Sequence, residues 1–371
     1  MNPVAKVIKT FITEHISYRL YKEAETFFRD RLMKDKEKRS FYAYFVKKDT
    51  QKSKEKERYC ILRFRVPTYM IFAAAIQYVF AYEYIESKGY IPVIDMEWEY
   101  LFRQFQLGKD NLWEYCFNQR VTVEEALKKD YVLVETFGMP GTWLNQMCVE
   151  LNGKKDDHYI HAVQDNWREY YTKVNKYIKK SWLIKPELVK EYQQKYGCKI
   201  KEEDLVLGVA LRESFSADAY NKMHEESQKV YDNHPMCPGI IETLEIVKKY
   251  IKQWGCNKIF LSTIFQESLE LFLQEFGDSV IYVDRDRNSL NDYKTKPDGW
   301  AMNNKEIYEY HQRNSDIRNM TVTYTEEIIG LSKCDYLIAA KSSGSIAALA
   351  MNGGKYKDIY ILPDKNNIER Y

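Results

Sequence analysis

Three short stretches in the C-terminal half carry side chains with chemistry to offer, and each directly follows a run of apolar residues. In Leu211-Arg212-Glu213-Ser214 a guanidinium closes the run that begins at Leu205. Such a group can grip a diphosphate through two parallel N–H···O bonds; a surface salt bridge is the alternative use of the same residue. In Lys341-Ser342-Ser343-Gly344-Ser345, hydroxyl residues and glycine let backbone N–H groups approach an anion where a helix begins. The helix dipole favours negative charge at that end, and Lys341 adds a cation. Ordinary N-capping by Ser343 or Ser345 accounts for the serines equally well. The third stretch, Tyr282-Val-Asp-Arg-Asp-Arg287, alternates in charge and reads either as a solvated turn or as the lining of a cleft.

Several simple chemistries are absent from the sequence. There is no Gly-x-Gly-x-x-Gly, no Walker loop and no Gly-x-Ser-x-Gly, which removes the simplest dehydrogenase, P-loop and hydrolase readings. Asp284-Arg-Asp286 is the one Asp-x-Asp, a thin basis for a metal-bridged nucleotide, and no metal is expected. His158 and His161 are spaced for one helical face, but no carboxylate or cysteine cluster completes a site, so they read as surface residues. The seven cysteines are scattered without a Cys-x-x-Cys pair. That argues against a disulfide framework or structural zinc and for a reducing compartment.

The elements that must position these residues are legible as alternating strands and helices. Strands are expected at Tyr59–Phe64, Tyr90–Asp95 and Tyr131–Glu135, with a long apolar helix from Pro67 to Lys88 stopped by Gly89. Strand, helix, glycine, strand is a βαβ unit and implies a parallel sheet. Residues 156–196 are polar, rich in Lys and Tyr, and helical in period, the best candidate for an interdomain connection. Beyond them, strands are expected at Leu205–Leu211, Lys258–Ser262, Ser279–Val283, Tyr336–Ala340 and Asp358–Leu362. The intervening helices are Ile240–Trp254, Gln266–Phe276, Tyr324–Ser332 and Ile346–Met351. This alternation predicts a doubly wound domain, in which ligands bind beyond the C-terminal ends of the strands. The three chemistry-bearing stretches all fall at such ends.

A chain of 371 residues fits two domains of ordinary size. Its formal charge of +2 calls for no nucleic-acid partner. The 31 tyrosines suit both cores and sugar-binding clefts. The N-terminus lacks a signal-peptide stretch and reads as an amphipathic helix, followed by a basic linker from Lys34 to Arg58. That segment is either a solvated linker or a patch for peripheral contact with the inner membrane face. Polar residues interrupt the apolar stretch Pro67–Ile85, so a buried helix is expected rather than a span, and a cytoplasmic protein. The expected division is a helical basic extension and linker over 1–58, an α/β domain over 59–197 and a second, doubly wound α/β domain over 198–371.

With these elements in place, the sequence resembles the superfamily of α-1,6-fucosyltransferases and nodulation-type fucosyltransferases, as a divergent bacterial-type member. The match is carried by Gly208-Val-Ala-Leu-Arg212, by His234-Pro235 with Pro238, and by Phe260-Leu-Ser262 with Phe276-Gly-Asp278 and Val280-Ile-Tyr. Its most specific part is Glu326–Ile338 followed by Ser342-Ser-Gly-Ser345 and Ala347. In the first half, Ala81–Asp95 and Asn111-Leu-Trp-Glu-Tyr-Cys-Phe117 are similar to the family's segments in the same order, so the likeness spans roughly residues 60–365. The resemblance implies a GT-B architecture: two Rossmann-like doubly wound domains facing a cleft, here with a helical N-terminal extension. It implies GDP-fucose as the favoured donor, no cofactor or obligatory metal, and inversion at the anomeric carbon.

Carried over by position, Arg212 clamps the diphosphate, Glu327 occupies the acidic position that helps read guanine, and Ser342, Ser343, Gly344 and Ser345 bind phosphate. The chain departs from the pattern at Ala210, where the family has His, and at Phe215, where it has an acidic residue. The expected function is an inverting, fucosyltransferase-like glycosyltransferase acting on a surface-glycan or polysaccharide precursor. Its partners are a nucleotide-sugar and a glycan acceptor, and Asp218 and Glu213 are the candidate bases for the acceptor proton. The alternative is a catalytically degenerate relative that binds nucleotide or glycan as a non-catalytic partner.

Overall fold

Apolar runs of four to seven residues alternating with amphipathic segments dictate parallel strands joined by helices. A computed structural model describes residues 43–47, 57–65, 71–87, 89–96, 111–137, 160, 162–211, 238–287, 289 and 317–363. They belong to two compact units, each built on one sheet.

The first sheet has the order β1-β4-β2-β3, from strands Ala43–Lys47 (β1), Tyr59–Arg65 (β2), Ile91–Asp95 (β3) and Tyr131–Phe137 (β4). Helix α1, Ile71–Ser87, links β2 to β3 in the expected parallel βαβ unit. Gly89 ends it at φ 77°, a left-handed conformation that glycine adopts without a Cβ penalty. The basic-linker expectation fails at β1: residues 43–47 pair antiparallel with β4, Ala43 opposite Thr136, which makes the sheet mixed. Charge density drew attention there, while Ala-Tyr-Phe-Val is itself a strand-forming run.

At the outer strand β3, side-chain amides take the place of a neighbouring strand. Asn111 accepts from the Met96 N–H at 2.9 Å and donates to the Ile94 carbonyl at 2.7 Å. Gln119 accepts from the Ile94 N–H at 2.6 Å. Asn111 also caps the short helix Leu112–Cys116 (α2), where Trp113 and Phe117 stack. The Asn-x-Trp-Glu-Tyr-x-Phe segment therefore finishes a sheet edge. A second short helix, Val123–Ala126 (α3), opens with a capping box between Thr122 and Glu125.

The second sheet is wholly parallel, in the order β7-β6-β5-β8-β9. Its strands are Val206–Ala210 (β5), Lys258–Ser262 (β6), Val280–Tyr282 (β7), Tyr336–Ala339 (β8) and Asp358–Ile361 (β9). Numbered within the unit this is 3-2-1-4-5, with the chain reversing direction of travel between β5 and β8. Helices Ile240–Trp254 (α6) and Gln266–Phe276 (α7) have the boundaries expected from sequence. They contribute Leu244, Val247, Leu269 and Phe272 to a core closed by Leu207, Val209, Ile259 and Leu261.

The segment expected to connect two domains is instead packed within this unit. Its helices are Trp167–Ser181 (α4) and Pro186–Lys195 (α5), with Trp167, Tyr171, Val174 and Ile178 of α4 buried. Asn175 donates to the carbonyls of Ala350 and Met351 at 2.8 and 3.0 Å. Its polar composition marks only the outer face of α4, while a helical stripe of apolar residues faces in. Two further helices contribute to the unit: Ile317–Ser332 (α8), from Val322 onward, and Ser343–Asn352 (α9). The N-terminal helix, His158, His161, Arg212, Glu213, Phe215 and Asp218 lie outside the described residues. Among the described residues no helix is long and apolar enough to cross a membrane.

Candidate functional site

In an open parallel sheet, helices leave opposite faces on either side of the reversal point, which opens a crevice at the carboxyl ends of the strands. Here that point lies between β5 and β8. β5 ends at Ala210, followed by Leu211, whose N–H donates to the Ser262 carbonyl at 3.0 Å. β8 ends at Ala339, and the chain turns through Ala340 and Lys341 into α9.

Ser342 is the N-cap of α9. Its Oγ accepts from the Ser345 N–H at 3.2 Å and lies 2.9 Å from the Ser345 Oγ. The capping alternative is thus realised, by Ser342 rather than by Ser343 or Ser345. Capping and anion binding do not compete for the same amides, however. The Ser342 side chain engages Ser345 and its carbonyl engages Ile346, while the N–H groups of Ser343 and Gly344, in the first helical turn, have no intrahelical acceptor. Gly344 is required by packing as well: a Cβ there would collide with the Tyr324 hydroxyl on α8. A cavity of about 500 Å³ opens at the same end of the sheet, lined by Lys341, Gln164, Tyr360 and Pro363 among others.

The second strand-end cluster is built from segments far apart in sequence. On α8, Glu327 and Gly330 share a face, and on β6, Phe260 and Ser262 share one. Gly330 lets the helix lie directly on the Phe260 ring, which any Cβ would strike. One turn back along α8, Glu327 meets Ser262, whose hydroxyl donates to Oε2 at 2.9 Å. Arg285 reaches the same oxygen at 3.2 Å, and Arg287 stands 4.0 Å from Oε1. The Glu327 side chain is 1% exposed, Arg287 2% and Arg285 14%. Burial holds the Glu327 carboxyl above its ordinary range, against the pull of the two guanidiniums and Ser262. Burial likewise lowers Arg287, with Glu327 opposing.

The alternating charges of residues 284–287 resolve into two sides. Asp284 and Asp286 are exposed, while Arg285 and Arg287 turn inward, so neither a fully solvated turn nor a uniform cleft lining describes them. Arg287 donates to the carbonyls of Val283 and Arg285 at 2.7 and 3.2 Å, and the Tyr196 hydroxyl accepts from the Asp284 N–H at 3.1 Å. These three bonds pin the backbone from which Arg285 projects. Next to Glu327, the buried Glu326 is pushed up to about 7 by desolvation, with Lys195 opposing and Glu191 reinforcing the shift.

Of the residues expected from sequence, the structure gathers Ser342, Ser343, Gly344 and Ser345 at the start of α9 and places Glu327 in the buried cluster beneath β6. It adds Ser262, Arg285 and Arg287, which sequence reasoning did not assign. The available signal was the two-residue period of Asp-Arg-Asp-Arg, which splits acids from bases on an extended backbone. Among the described residues no group of three or more His, Cys, Asp or Glu is arranged to hold a metal ion.

A wholly parallel five-stranded sheet in the order 3-2-1-4-5 gives this unit a Rossmann-like, doubly wound fold. Neither a protein-family model nor a curated protein matches the chain. Among solved structures it is similar to the fucosyltransferase NodZ from Bradyrhizobium, at 14% identity and a TM-score of 0.40, over 79% of this chain and 92% of that one. NodZ α-1,6-fucosyltransferase co-crystallized with GDP gives 13% identity and a TM-score of 0.42 over the same shares. POFUT1 in its apo form gives 9% identity and a TM-score of 0.45, over 84% of this chain and 99% of that one. These are distant likenesses.

Proposed function

We propose that this chain is a glycosyltransferase of the fucosyltransferase-like type, binding a nucleotide-sugar at the reversal point of its second sheet, with GDP-fucose the favoured donor. The observation that supports this most directly is the coincidence of the Ser342–Ser345 loop with the β5/β8 reversal point, the place where ligands bind in open α/β sheets. The resemblance in residues 326–347 names the same loop independently.

In this reading the Ser343 and Gly344 amides and the hydroxyls of the loop receive the diphosphate, and Arg212, which follows the β5 exit in sequence, clamps it. The acceptor hydroxyl attacks the anomeric carbon from the face opposite the diphosphate. The bond from that carbon to the phosphate oxygen breaks, and the leaving diphosphate takes the electron pair. Fixed N–H dipoles and a guanidinium stabilise that developing charge. Asp218, with Glu213 as the second candidate, takes the acceptor proton.

Calorimetric titration with GDP, UDP and ADP, on the wild type and Arg212→Ala, tests the donor site. GDP-selective binding weakened about tenfold or more by the substitution is expected, from the loss of a charge-assisted contact. Absence of binding to all three nucleotides would sink the reading. Ala210, buried at the end of β5 where the family has His, favours a second reading as a non-catalytic nucleotide or glycan binder. Its signature is nucleotide binding without turnover across a broad donor and acceptor set. Loss of turnover with retained GDP binding in Asp218→Asn would instead place the base.

A further inference from the structure

Helix α4 turns Tyr171, Val174, Asn175 and Ile178 into the second unit and its opposite side to solvent. The outer side carries charge of one sign. Between Glu169 and Glu187 the chain has five lysines and no acid, although its formal charge as a whole is only +2. Lys173, Lys176 and Lys180 stand three and four residues apart, which sets them in one stripe along the helix, and all three are exposed. Lys173 lies 3.8 Å from Glu169, with 72% and 79% of the two side chains exposed, a contact that water screens. Among the described residues Lys176 and Lys179 have no carboxylate partner. A surface built only for solubility intersperses both signs. Lysines in a last turn also complement the helix dipole, which accounts for Lys179 and Lys180. Lys173 and Lys176 stand too early in the helix for that use.

Apolar surface borders the stripe. Tyr177 is 37% exposed and Leu183, just past the helix end, is 45% exposed. They are two of the four exposed large apolar side chains among the described residues. The face is also held in place: α4 donates to the carbonyls of Ala350 through Asn175, of Gly353 through Thr172 and of Tyr356 through Arg168. The lysines therefore keep their spacing without a further ordering cost.

From this surface we infer that the outer face of α4 docks the chain on a lipid surface carrying anionic headgroups. The lysine stripe meets the headgroup charge, and Tyr177 and Leu183 enter the interfacial layer beside it. A polybasic face is drawn to an anionic leaflet, and tyrosine sits well at the headgroup level, with its ring apolar and its hydroxyl wet. A nucleic-acid backbone complements the same lysines but gives an exposed leucine nothing to bury against. The inference stands apart from the donor-site reading, since α4 carries none of the residues assigned to nucleotide.

The test is flotation of the full chain with phosphatidylcholine vesicles, with and without phosphatidylglycerol, at about 0.1 M salt, where exposed charges still act over about 10 Å. The wild type is expected on the anionic vesicles and not on the neutral ones. Each lysine near a charged leaflet contributes about fivefold, so Lys173→Gln, Lys176→Gln and Lys180→Gln combined should weaken binding about a hundredfold. The three Lys→Arg changes combined should retain it, and Leu183→Ser should weaken it several-fold. Thermal melts establish that each variant is folded, and GDP titration of the glutamine variant should match the wild type. A wild type that ignores anionic vesicles overturns the inference. So does a folded glutamine variant that keeps full affinity, which assigns any membrane contact to another basic segment such as residues 34–58. A single-stranded oligonucleotide bound more tightly than the vesicles through the same lysines, with Leu183→Ser without effect, overturns it in favour of nucleic acid.

Discussion

The two strand-end regions of the second sheet solve the problem of placing polar groups in opposite ways. After β8, past Lys341, the groups are uncharged: serine hydroxyls and backbone amides at the start of α9, with Ser342 and Ser343 partly open to solvent, organised by bonds that span three residues. After β6 and β7 the groups are ionic and enclosed, and Ser262, Arg285, Arg287 and Glu327 come from three separate stretches of chain. The first arrangement costs little to build, since it reuses amides that any helix start leaves unpaired. The second requires three charges to leave water, and such a cluster persists only when its members satisfy one another. A local device can therefore be lost or altered without endangering the fold, and a buried ionic one cannot.

The sharpest way to break that comparison is to remove the shared carboxylate. Glu327→Ala leaves two buried guanidiniums without their partner, and a loss of about 3–5 kcal/mol in urea unfolding is expected. A loss no larger than that of an exposed substitution would mean the cluster is hydrated and the contrast false. Removing the organiser of the local device should do much less. Ser342→Ala deletes one N-cap and is expected to cost about 1 kcal/mol, with a measurable weakening of nucleotide binding if the loop holds phosphate. Equal losses in the two variants would erase the distinction.

The smallest effect sharpens the picture through pH. Glu326 titrates at about 7 in the folded chain against 4.5 in its ordinary state, because burial disfavours the charged form. Between those values the folded chain holds a proton that the unfolded chain has released. The contribution of Glu326 to stability is thus full at and below pH 4.5 and declines as pH rises through about 7. Glu327 is shifted in the same direction and adds to the slope. Unfolding curves across pH 4.5–7 should show this decline, and Glu326→Gln should flatten it. An unchanged slope in the variant would assign the titration to Glu327.

How much was legible beforehand follows the same divide. The boundaries of α6, β6 and α7 were readable to the residue, because each is a short periodic run bounded by glycine or a polar turn. The Ser342–Ser345 loop was readable because a strand, a small-residue turn and a helix stand consecutively in the chain. β1 was not readable as a strand, since its charged neighbours in sequence dominate the composition and its partner β4 enters more than 80 residues later. Nor was the packing of α4 within the second unit, because the composition of an amphipathic helix reports its wet face as strongly as its dry one.

By itself the sequence determined the strands of the second sheet and the helices α6 and α7, that this sheet is parallel, and that a small-residue loop opens α9. Hydrophobic period, turn residues and capping are local, and neighbours within a few positions decide them. Only the tertiary structure decided that β5 and β8 lie side by side, that the acids and bases of 284–287 part to opposite sides, and that Arg285, Ser262 and Glu327 share one buried point. Those outcomes depend on strand order and on how closely α8 can approach β6. That approach is set by Gly330 against the Phe260 ring, a contact between residues 70 positions apart that no local pattern encodes.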